Sequence, residues 1–229
     1  MRLLRTGPGH PWFNLALDEA LLRCGSEALR LYAWNPPGLS IGFFQKVAEH
    51  PVPDGFTLVR RPTGGGAIAH TGELTISWTG QRRRVEEVYA DTNAIVADAV
   101  RRLGIEAERG EEDPVAAPRG FCFDSHTRYD LLADGRKFFG SAQRRGADRF
   151  LMHGSLVLDP NPWAKGAISL RELAGRTIER EEIENLVIEA ASRHWNTSMD
   201  PDAPTERETA TTDRLISERY GSRKWNSRR

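Results

Sequence analysis

LVRRPTGGGAIAH, residues 58–70, joins an apolar run to a second alternating run through two arginines and three consecutive glycines. Each glycine loses much backbone freedom on folding and contributes no side chain to packing. A chain accepts that cost where its backbone must closely approach another group, typically a ligand. Arg60 and Arg61 indicate anionic character in that ligand or in its carrier. A glycine-rich hairpin turn would also explain the run, so the features that accompany it must decide.

The composition limits the class of protein. The chain has 229 residues, enough for one mixed α/β domain, and its 32 basic residues balance 32 acidic ones, so no global field favours nucleic acid. Its 2 cysteines are too few for a disulfide framework. No apolar stretch approaches the roughly 20 residues that span a bilayer, and the N-terminus lacks the apolar segment of a signal peptide. We expect a cytoplasmic protein with no nucleic-acid or membrane partner.

The hydrophobic pattern mixes helical and strand-like segments. Apolar positions at helical spacing from Trp12 to Cys24 predict a helix as the first element, and Gly25 suits its end. Asp134-Gly135 predicts a tight hairpin turn, and the polar stretch 109–120 predicts a loop. The other predicted elements are strands at 28–34, 39–43, 56–60, 73–78, 129–133, 136–139 and 150–158 and helices at 85–103, 183–195 and, more weakly, 205–220. This mixture favours a single α+β domain over a doubly wound parallel sheet.

The two cysteines lie in different contexts. Cys24 falls on the apolar face of the predicted first helix, which indicates a small buried hydrophobe. Cys122 lies between Phe121 and Phe123, after the polar stretch and before the hairpin, where no helical stripe includes it. A thiolate nucleophile is favoured by a nearby cation, and Lys137 on the second hairpin strand is a candidate. Packing of Cys122 between the two aromatic side chains is the alternative, and spacing alone leaves both open.

Glycine recurs at positions 140 and 154, inside strand-like sequence that also holds small hydroxyl residues and cations. Together with the triple glycine, these positions predict a sheet floor on which an elongated ligand lies against exposed backbone. Small side chains leave room for an apolar tail, whose polar end Lys137 and Arg144 could meet. Taken singly, Lys137 could equally be a solvated strand residue and His153 a hydrogen-bonded core histidine.

These ordered motifs resemble those of the lipoate–protein ligase and octanoyltransferase family, whose domain is related to the biotin protein ligases. The resemblance covers nearly the whole chain. It rests on PWFNLALDEALL at 11–22, WNP at 34–36, SIGFFQ at 40–45, the stretch 60–70, CFD at 122–124, the stretch 135–145, HGS at 153–155, RY at 219–220 and WN at 225–226. It implies one domain over residues 1–229, a mixed and mostly antiparallel sheet flanked by helices, a helical C-terminal part over about 175–229, and no accessory domain.

Within that family the chain is most similar to the cysteine-dependent octanoyltransferases. Cys122-Phe123-Asp124 matches their nucleophile motif, and Glu73-Leu74-Thr75 matches their version of a segment that usually contains asparagine in the ligases. The resemblance implies that Cys122 attacks the octanoyl thioester of acyl carrier protein, while Lys137 favours the thiolate and the developing oxyanion. A lysine of a lipoyl carrier, such as the glycine-cleavage H protein or a lipoyl domain, would then displace Cys122 without any cofactor or metal.

The resemblance also implies a set of substrate-binding residues around this pair. They are Arg60, Gly64, Gly65, Gly66, His70, Gly140, Ser141, Gln143, His153 and Gly154. The glycines of both runs would line an acyl tunnel, so Gly65→Val should block it by placing a branched side chain against the tail. Lys137, taken as a cation at a strand edge, should contribute little to stability.

Two alternatives stay open. An ATP-dependent lipoate–protein ligase would work through lipoyl-adenylate and need Mg-ATP, and a non-catalytic relative would only bind acyl carriers. His70 is followed by Thr71, where many relatives carry aspartate, and the segment 159–168 is shorter than in most relatives. The short segment argues against nucleotide chemistry. The sequence leaves the acyl chain length, the acceptor and the oligomeric state undetermined.

Overall fold

The structure is a computed structural model that describes residues 1–113 and 120–228. The strands are β1 (Arg2–Gly9), β2 (Ala28–Trp34), β3 (Gly38–Ile41), β4 (Thr57–Arg60), β5 (Ile68–His70), β6 (Glu73–Gln81), β7 (Glu108–Arg109), β8 (Leu131–Ala133), β9 (Arg136–Arg145), β10 (Arg149–Val157) and β11 (Asp200–Pro201). The helices are α1 (Pro11–Cys24), α2 (Val85–Arg101), α3 (Leu170–Ala174), α4 (Arg180–Trp195), α5 (Glu206–Leu215) and α6 (Arg223–Asn226). Short 3₁₀ turns occur at Val47–Glu49 and Cys122–Asp124, and a π turn follows α5 at Ile216–Tyr220.

Two sheets organise these elements. Within the described residues the larger sheet has eight strands, in the order β11-β1-β2-β6-β10-β9-β8-β7. β1 pairs in parallel with β11 and β2, whereas the other neighbours pair antiparallel. The smaller sheet has the order β4-β3-β5, with one parallel and one antiparallel pairing. A mixed and mostly antiparallel sheet flanked by helices confirms the predicted α+β class.

The larger sheet separates an apolar face from a polar one. Leu31, Ile76 and Met152 alternate with polar residues along the central strands and pack with α2 and α4 in the main core. The opposite face presents cross-strand rows of mostly small or polar residues, since Thr75 of β6 pairs with Ser155 of β10. α1 and the smaller sheet cover this polar face. Because small side chains leave space there, it is the face on which a cavity can form.

Local sequence signals account for the elements that were predicted most clearly. α1 has Pro11 in its first turn, and Gly25 ends it at φ 80° with its N–H directed to carbonyls of the last turn. Asp134 and Gly135 have φ values of 50° and 68° and join β8 to β9. Both residues of this two-residue turn have positive φ, which Asp and Gly accommodate. The helix predicted from Trp12 to Cys24 and the hairpin predicted around Asp134-Gly135 are therefore confirmed.

Other elements differ from the prediction because distant strands pair with them. The prediction of a helix as the first element is wrong, because β1 precedes it and lies between β2 and β11. The register of β1 against β2 shifts between Arg5 and Gly7, which removes the alternation that would have revealed a strand. β9 extends to Arg145, beyond its predicted end at 139, because β10 pairs with it along that length.

The predicted loop at 109–120 is only partly described. Pro114 and Pro118 lie outside the described residues, while Glu108–Arg109 pairs with β8 as a short strand.

Among the described residues, no helix has both the length and the apolar character needed to cross a membrane.

Candidate functional site

Arg61 fixes the path of the glycine loop between β4 and β5. Its buried guanidinium donates to the carbonyl oxygens of Gly64 at 3.1 Å and Gly66 at 2.7 Å. Its other terminal nitrogen donates to Ser40 Oγ at 2.7 Å. Between the two clamped carbonyls, Gly65 has φ 92°, which lies in the left-handed region that favours glycine. The donors of Arg61 therefore bind the protein's own oxygen atoms, and they do not mark an anionic ligand.

Arg60 lies apart from the other predicted binding residues. Its side chain is fully buried, and it donates to the carbonyl oxygens of Gly42 at 3.0 Å, Gln45 at 2.7 Å and Asn226 at 3.1 Å. These bonds tie the end of β4 to the segment after β3 and to α6. Because Arg60 lines neither of the two cavities described below, the structure does not bring it together with the site.

Gly66 allows the glycine loop to lie directly against the segment that carries Cys122. A Cβ atom on Gly66 would lie 2.8 Å from the backbone nitrogen of Cys122 and 2.9 Å from its Cα. The close packing lets Cys122 N–H donate to Ala67 O at 2.7 Å, and Ala67 N–H donate to Gly120 O at 3.1 Å. The expected close approach exists at Gly66, but its partner is protein backbone. That contact positions Cys122.

Cys122 and Lys137 form a pair at the centre of the site. Cys122 begins the 3₁₀ turn Cys122–Asp124, and its thiol is half-buried. Lys137 Nζ lies 3.4 Å from Cys122 Sγ and donates to Cys122 O at 2.9 Å. An ammonium group at this distance interacts favourably with negative charge that develops on a cysteine sulfur. The fold thus brings together the two residues that the sequence analysis named as nucleophile and cation.

Asp130 holds the other side of the Lys137 ammonium. Its Oδ1 lies 3.1 Å from Lys137 Nζ, and its Oδ2 accepts from Thr127 N–H at 2.7 Å. Burial alone would lower the pKa of Lys137, but the charges of a Cys122 thiolate and of Asp130 outweigh it and raise that pKa above its ordinary value. Lys137 is therefore charged at neutral pH. The expectation of an exposed strand-edge cation is wrong, because β9 lies between β10 and β8 and only 4% of Lys137 is exposed.

A β-bulge places Lys137 beside Gly140. Leu131 pairs with Phe139 and Leu132 pairs with Lys137, so β9 has one extra residue, Phe138, at this point. Residues 137 and 140 would face opposite sides of a regular strand, and the extra residue restores them to the same side. A Cβ atom on Gly140 would lie 2.5 Å from Lys137 Cε and 2.9 Å from its Nζ. Glycine at 140 therefore leaves the space that the ammonium occupies.

An inner cavity of about 410 Å³ extends from Cys122 over the polar face of the larger sheet. Gly140, Ala142, His153 and Ser155 form part of its floor, while Leu15 of α1, Tyr32 and Trp34 of β2, and Ile68 and His70 of β5 are among its walls. Its surface is mainly apolar despite the polar atoms nearby, because those atoms bind one another. The cavity presents this apolar surface next to the thiol, and its volume includes space open to solvent.

A hydrogen-bonded chain satisfies His70 in the wall of the inner cavity. Arg61 donates to Ser40 Oγ, which lies 2.6 Å from His70 Nε2, and His70 Nδ1 lies 2.5 Å from Glu73 Oε1. Trp34 stacks on the imidazole with ring centroids 3.7 Å apart. Burial lowers the pKa of His70, although Glu73 acts in the opposite direction. His70 is therefore neutral at pH 7, and we assign its proton to Nδ1, which faces the carboxylate.

His153 belongs to a second buried network, which lies between α1 and the polar face of the larger sheet. Its Nε2 lies 2.8 Å from Thr63 Oγ1 in the glycine loop, and its Nδ1 lies 3.4 Å from Asp18 Oδ2 on α1. Asp18 also accepts from Arg30 at 2.7 Å and from Tyr32 at 2.9 Å. Burial alone would raise the pKa of Asp18, but Arg30 and its other partners hold it below its ordinary value. This network ties α1 and the glycine loop to the sheet.

An outer cavity of about 810 Å³, which includes space open to solvent, lies on the other side of Cys122. The three loop glycines, Lys137, Asp130 and Gln143 line it, together with Tyr89 and Tyr129, whose rings stack at 4.0 Å. Cys122, Gly65, Ser141 and Ala142 line both cavities. The thiol thus lies where the two cavities meet. An elongated molecule entering from outside can place a reactive group at Sγ and its apolar tail in the inner cavity.

A model of the lipoyl protein ligase A/B catalytic domain matches residues 10–164. The matched range contains the glycine loop, His70, Cys122, Lys137 and His153. The chain belongs to the lipoyl protein ligase A/B catalytic domain family.

Relatives within this family carry two kinds of name. Octanoyltransferase LipM of Kyrpidia tusciae is 33% identical over 271 residues, covering 100% of this chain and 98% of the relative. Octanoyltransferase LipM of Geobacillus kaustophilus is 34% identical over 272 residues, with the same coverage. The solved structure of lipoate-protein ligase A bound with ATP has a TM-score of 0.87 at 25% identity and covers 99% of this chain and 98% of that chain. These names match the two chemistries that the sequence analysis separated.

The fold brings together all the predicted site residues of this family member except Arg60. Those lining the inner cavity are Gly65, His70, Cys122, Gly140, Ser141, His153 and Gly154. Those lining the outer cavity are Gly64, Gly65, Gly66, Cys122, Lys137, Ser141 and Gln143. The glycine at 154 leaves room for the Phe139 ring and Ser141, since a Cβ atom there would lie 2.4 Å from Phe139 Cζ. As at Gly66, its close neighbour is another part of the protein.

Sequence reasoning missed several side chains of the site. Asp130, Trp34 and Tyr32 line the cavities, and Asp18 supports the floor from α1. A signal for Asp130 was present, because pairing outward from the Asp134-Gly135 turn brings the residues before β8 close to β9. No local pattern indicates that Asp18 meets Arg30, since helix spacing specifies a face and not its partner.

Proposed function

We propose that this chain is an octanoyltransferase of lipoate biosynthesis. In this proposal it moves an octanoyl group from acyl carrier protein, through a Cys122 thioester, to a lysine of a lipoyl carrier protein. One observation carries the proposal: the half-buried Cys122 thiol lies at the junction of the two cavities, with the Lys137 ammonium 3.4 Å from its sulfur. The names of two relatives that align along the whole chain, both octanoyltransferases, support the octanoyl-transfer part of this proposal.

In the first step the Cys122 thiolate attacks the thioester carbonyl of the donor. The C–S bond to Cys122 forms, and the charge that develops on the carbonyl oxygen is stabilised by the Lys137 ammonium. Collapse of this intermediate breaks the C–S bond to the carrier, whose thiolate leaves and takes up a proton. The octanoyl tail remains in the inner cavity, where the apolar walls exclude water from it.

In the second step the ε-amine of a carrier lysine attacks the Cys122 thioester. The new C–N bond forms, Cys122 leaves as a thiolate, and the amine loses a proton to solvent. Exchange of a thioester for an amide is downhill, so we propose that no nucleotide, cofactor or metal takes part. The acceptor is a lipoyl carrier, either the glycine-cleavage H protein or a lipoyl domain.

We further propose a cytoplasmic location, since both cysteines are free thiols and that compartment keeps thiols reduced.

The surrounding residues have distinct proposed parts. Gly140 gives Lys137 its space, and Asp130 keeps the ammonium charged and directed at Cys122. Ser141 and Gly65 border the passage between the two cavities, where the thioester would lie. His70 shapes the inner wall as a neutral group. Asp130 is thus a positioning residue, since in this proposal it acts on the reaction through Lys137.

Intact mass spectrometry after incubation with octanoyl acyl carrier protein tests the proposal. We expect one octanoyl adduct on the wild-type chain and none on Cys122→Ser. Cys24→Ser is the matched control and should keep the adduct, because Cys24 lies at the end of α1 near Thr211 of α5, away from both cavities. An adduct that persists in Cys122→Ser contradicts the cysteine assignment.

A second assay separates transfer from ligation. Purified lipoyl carrier protein is added to the isolated acyl-enzyme without nucleotide, and we expect its mass to increase by one octanoyl group. Modification of that carrier from free lipoate, dependent on Mg-ATP and retained in Cys122→Ser, would instead identify a ligase. Binding of the carriers with neither reaction would identify a non-catalytic relative.

A further inference from the structure

Several cations lie near one another at the C-terminal end of the chain, and most of them form no salt bridge in the described residues. We call Arg144, Arg219, Lys224 and Arg228 the basic surface. Arg219 is held by Glu19 at 2.8 Å, whereas Arg144, Lys224 and Arg228 form no salt bridge within residues 1–113 and 120–228. Because the whole chain has a formal net charge of zero, attraction of an acidic partner requires a local excess of positive charge such as this one.

The members of the basic surface lie close together. Arg219, Lys224 and Arg228 line a surface cavity of about 610 Å³ with Trp225, and Glu218 is the one acidic residue in its described lining. The guanidinium carbons of Arg219 and Arg228 lie 3.6 Å and 4.9 Å from the centroid of the Trp225 ring. Burial lowers the pKa of Arg219, and the like charge of nearby Arg144 acts in the same direction. Arg219 and Arg228 are therefore ordered by stacking on Trp225, Lys224 lines the same cavity, and Arg144 lies close enough to Arg219 for their charges to interact.

The basic surface is continuous with the mouth of the outer cavity. Arg228 lies over the Phe43 ring at 4.4 Å, and the Phe43 and Phe44 rings meet edge to face at 5.0 Å. Phe44 is 50% exposed, and its ring reaches within 4.0 Å of the Cβ position of Gly64. Gly64 lines the outer cavity together with Cys122. On the other side, Arg144 donates to Pro62 O at 3.3 Å, just before the glycine loop.

We propose that the basic surface and Phe44 dock an acidic face of the protein that carries the octanoyl thioester. This inference rests on the proposed function, because it concerns delivery of the donor to Cys122. Arginine and lysine side chains without an internal partner can bind carboxylates with no salt bridge to break, and they steer an acidic protein to the site. Phe44 supplies a rigid apolar contact next to the entrance.

The same charge favours the donor over the acceptor as the occupant. The acceptor must present a lysine amine, which is cationic at neutral pH before it reacts. A basic surface at the entrance opposes the approach of that group, whereas the donor presents a neutral thioester. The acidic donor is therefore the partner that this surface fits best.

Charge reversal in Lys224→Glu/Arg228→Glu tests the docking surface. Acylation of Cys122 is measured with two donors: octanoyl acyl carrier protein and the octanoyl thioester of N-acetylcysteamine, which needs no docking. We expect kcat/KM with the protein donor to fall at least about tenfold, and its salt dependence to weaken, because steering is lost. The rate with the small thioester should not change.

Matched variants exclude non-specific effects. Arg102→Glu/Arg207→Glu makes the same charge change at two exposed positions, one just after α2 and one in α5, that form no salt bridge in the described residues, and it should behave as wild type with both donors. Lys224→Gln/Arg228→Gln removes the charge while keeping long side chains, and it should show a smaller loss with the protein donor only. It also tests the surface if charge reversal impairs folding.

Each outcome bears on the inference. Unchanged acylation of both charge variants by the protein donor would overturn the docking surface while leaving the proposed function intact. A slower transfer from preformed acyl-enzyme to the lipoyl carrier, with donor acylation unchanged, would overturn the assignment of the donor. Failure of wild type to react with either donor would refute the proposed function itself.

Discussion

Replacing Lys137 by methionine tests the buried ion pair at the centre of the site. The substitution keeps an unbranched side chain that is one atom shorter and removes its charge. Asp130, only 4% exposed, then loses the ammonium that lies 3.1 Å from its Oδ1 and keeps only the donors of Thr127. An unpaired buried carboxylate is costly, because neither water nor an opposite charge compensates it. We therefore expect Lys137→Met to lose both stability and activity.

The structure sets the size of both effects. Breaking a buried pair by removing one partner costs about 3–5 kcal/mol, a large share of the roughly 5–15 kcal/mol that stabilises a domain. With a urea m-value near 3 kcal/mol/M, the unfolding midpoint should fall by roughly 1–2 M. At the observed Nζ–Sγ distance of 3.4 Å the Coulomb energy is about 5 kcal/mol at an effective dielectric constant near 20. Because the thiol is half exposed, solvent screening reduces this energy. We therefore expect alkylation of Cys122 at neutral pH to be roughly 10- to 100-fold slower in Lys137→Met than in wild type.

Urea unfolding and iodoacetamide alkylation measure the two effects separately. In Lys137→Met/Asp130→Asn a neutral amide replaces the buried carboxylate, and its oxygen can still accept from Thr127 N–H, so most of the lost stability should return while alkylation stays slow. Lys165→Met is the matched control, since this exposed lysine forms no salt bridge in the described residues and should cost less than about 0.5 kcal/mol.

The pKa of Lys137 also determines how the free energy of unfolding depends on pH. Because that pKa is raised above its ordinary value of 10.5, the ion pair contributes its full stability below pH 10.5 and loses it as the pH rises through the folded-state pKa. Wild type should therefore lose stability in this alkaline range more steeply than the variant. A loss below about 1 kcal/mol in Lys137→Met at pH 7, with alkylation unchanged, would refute the ion-pair argument.

Three further substitutions test individual contacts of the site. Gly140→Ala places a Cβ atom 2.5 Å from Lys137 Cε, so octanoyl transfer should fall more than about tenfold, and normal turnover would contradict the need for that space. Gly65→Ala should lower the free energy of unfolding, measured in urea, by about 1–2 kcal/mol, because residue 65 has φ 92°. Gly64→Ala should cost less, because residue 64 has no positive φ and its Cβ position has no neighbour closer than 4.0 Å. Equal costs would contradict the backbone argument. Burial lowers the pKa of His70, so the stability that this residue contributes is present above pH 6.5 and is lost as the pH falls below 6.5. In His70→Asn the free energy of unfolding should therefore depend less on pH on the acid side. An unchanged slope there would count against this assignment.

The expectation for Gly65→Val changes with the structure. The sequence analysis attributed the block to contact with an acyl tail. The positive φ of Gly65 already disfavours any other residue, and its added Cβ would lie 3.2 Å from Arg61 Nη2. Loss of function in that variant would therefore report strain in the loop as well as the tunnel, so the milder alanine pair is the better test.

Local signals were sufficient for the elements they encode. Pro11, Gly25 and the Asp134-Gly135 turn predicted the ends of α1 and the hairpin, because capping and turn geometry depend on a few adjacent residues. The same locality explains why β1 was missed. Its strand character comes from pairing with β2 and β11, which the residues from Arg2 to Gly9 do not reveal.

By itself the sequence determined the α+β class, the family, and the candidate pair of Cys122 and Lys137. It could not determine which group each charge or glycine meets, because those partners come from distant segments. Only the tertiary structure decided that Arg60 and Arg61 bind carbonyl groups, that Gly66 touches the backbone of Cys122, and that Lys137 is buried against an acid. The physical reason is that an extra residue in β9, and the packing of a glycine loop against a turn 56 positions away, set these distances.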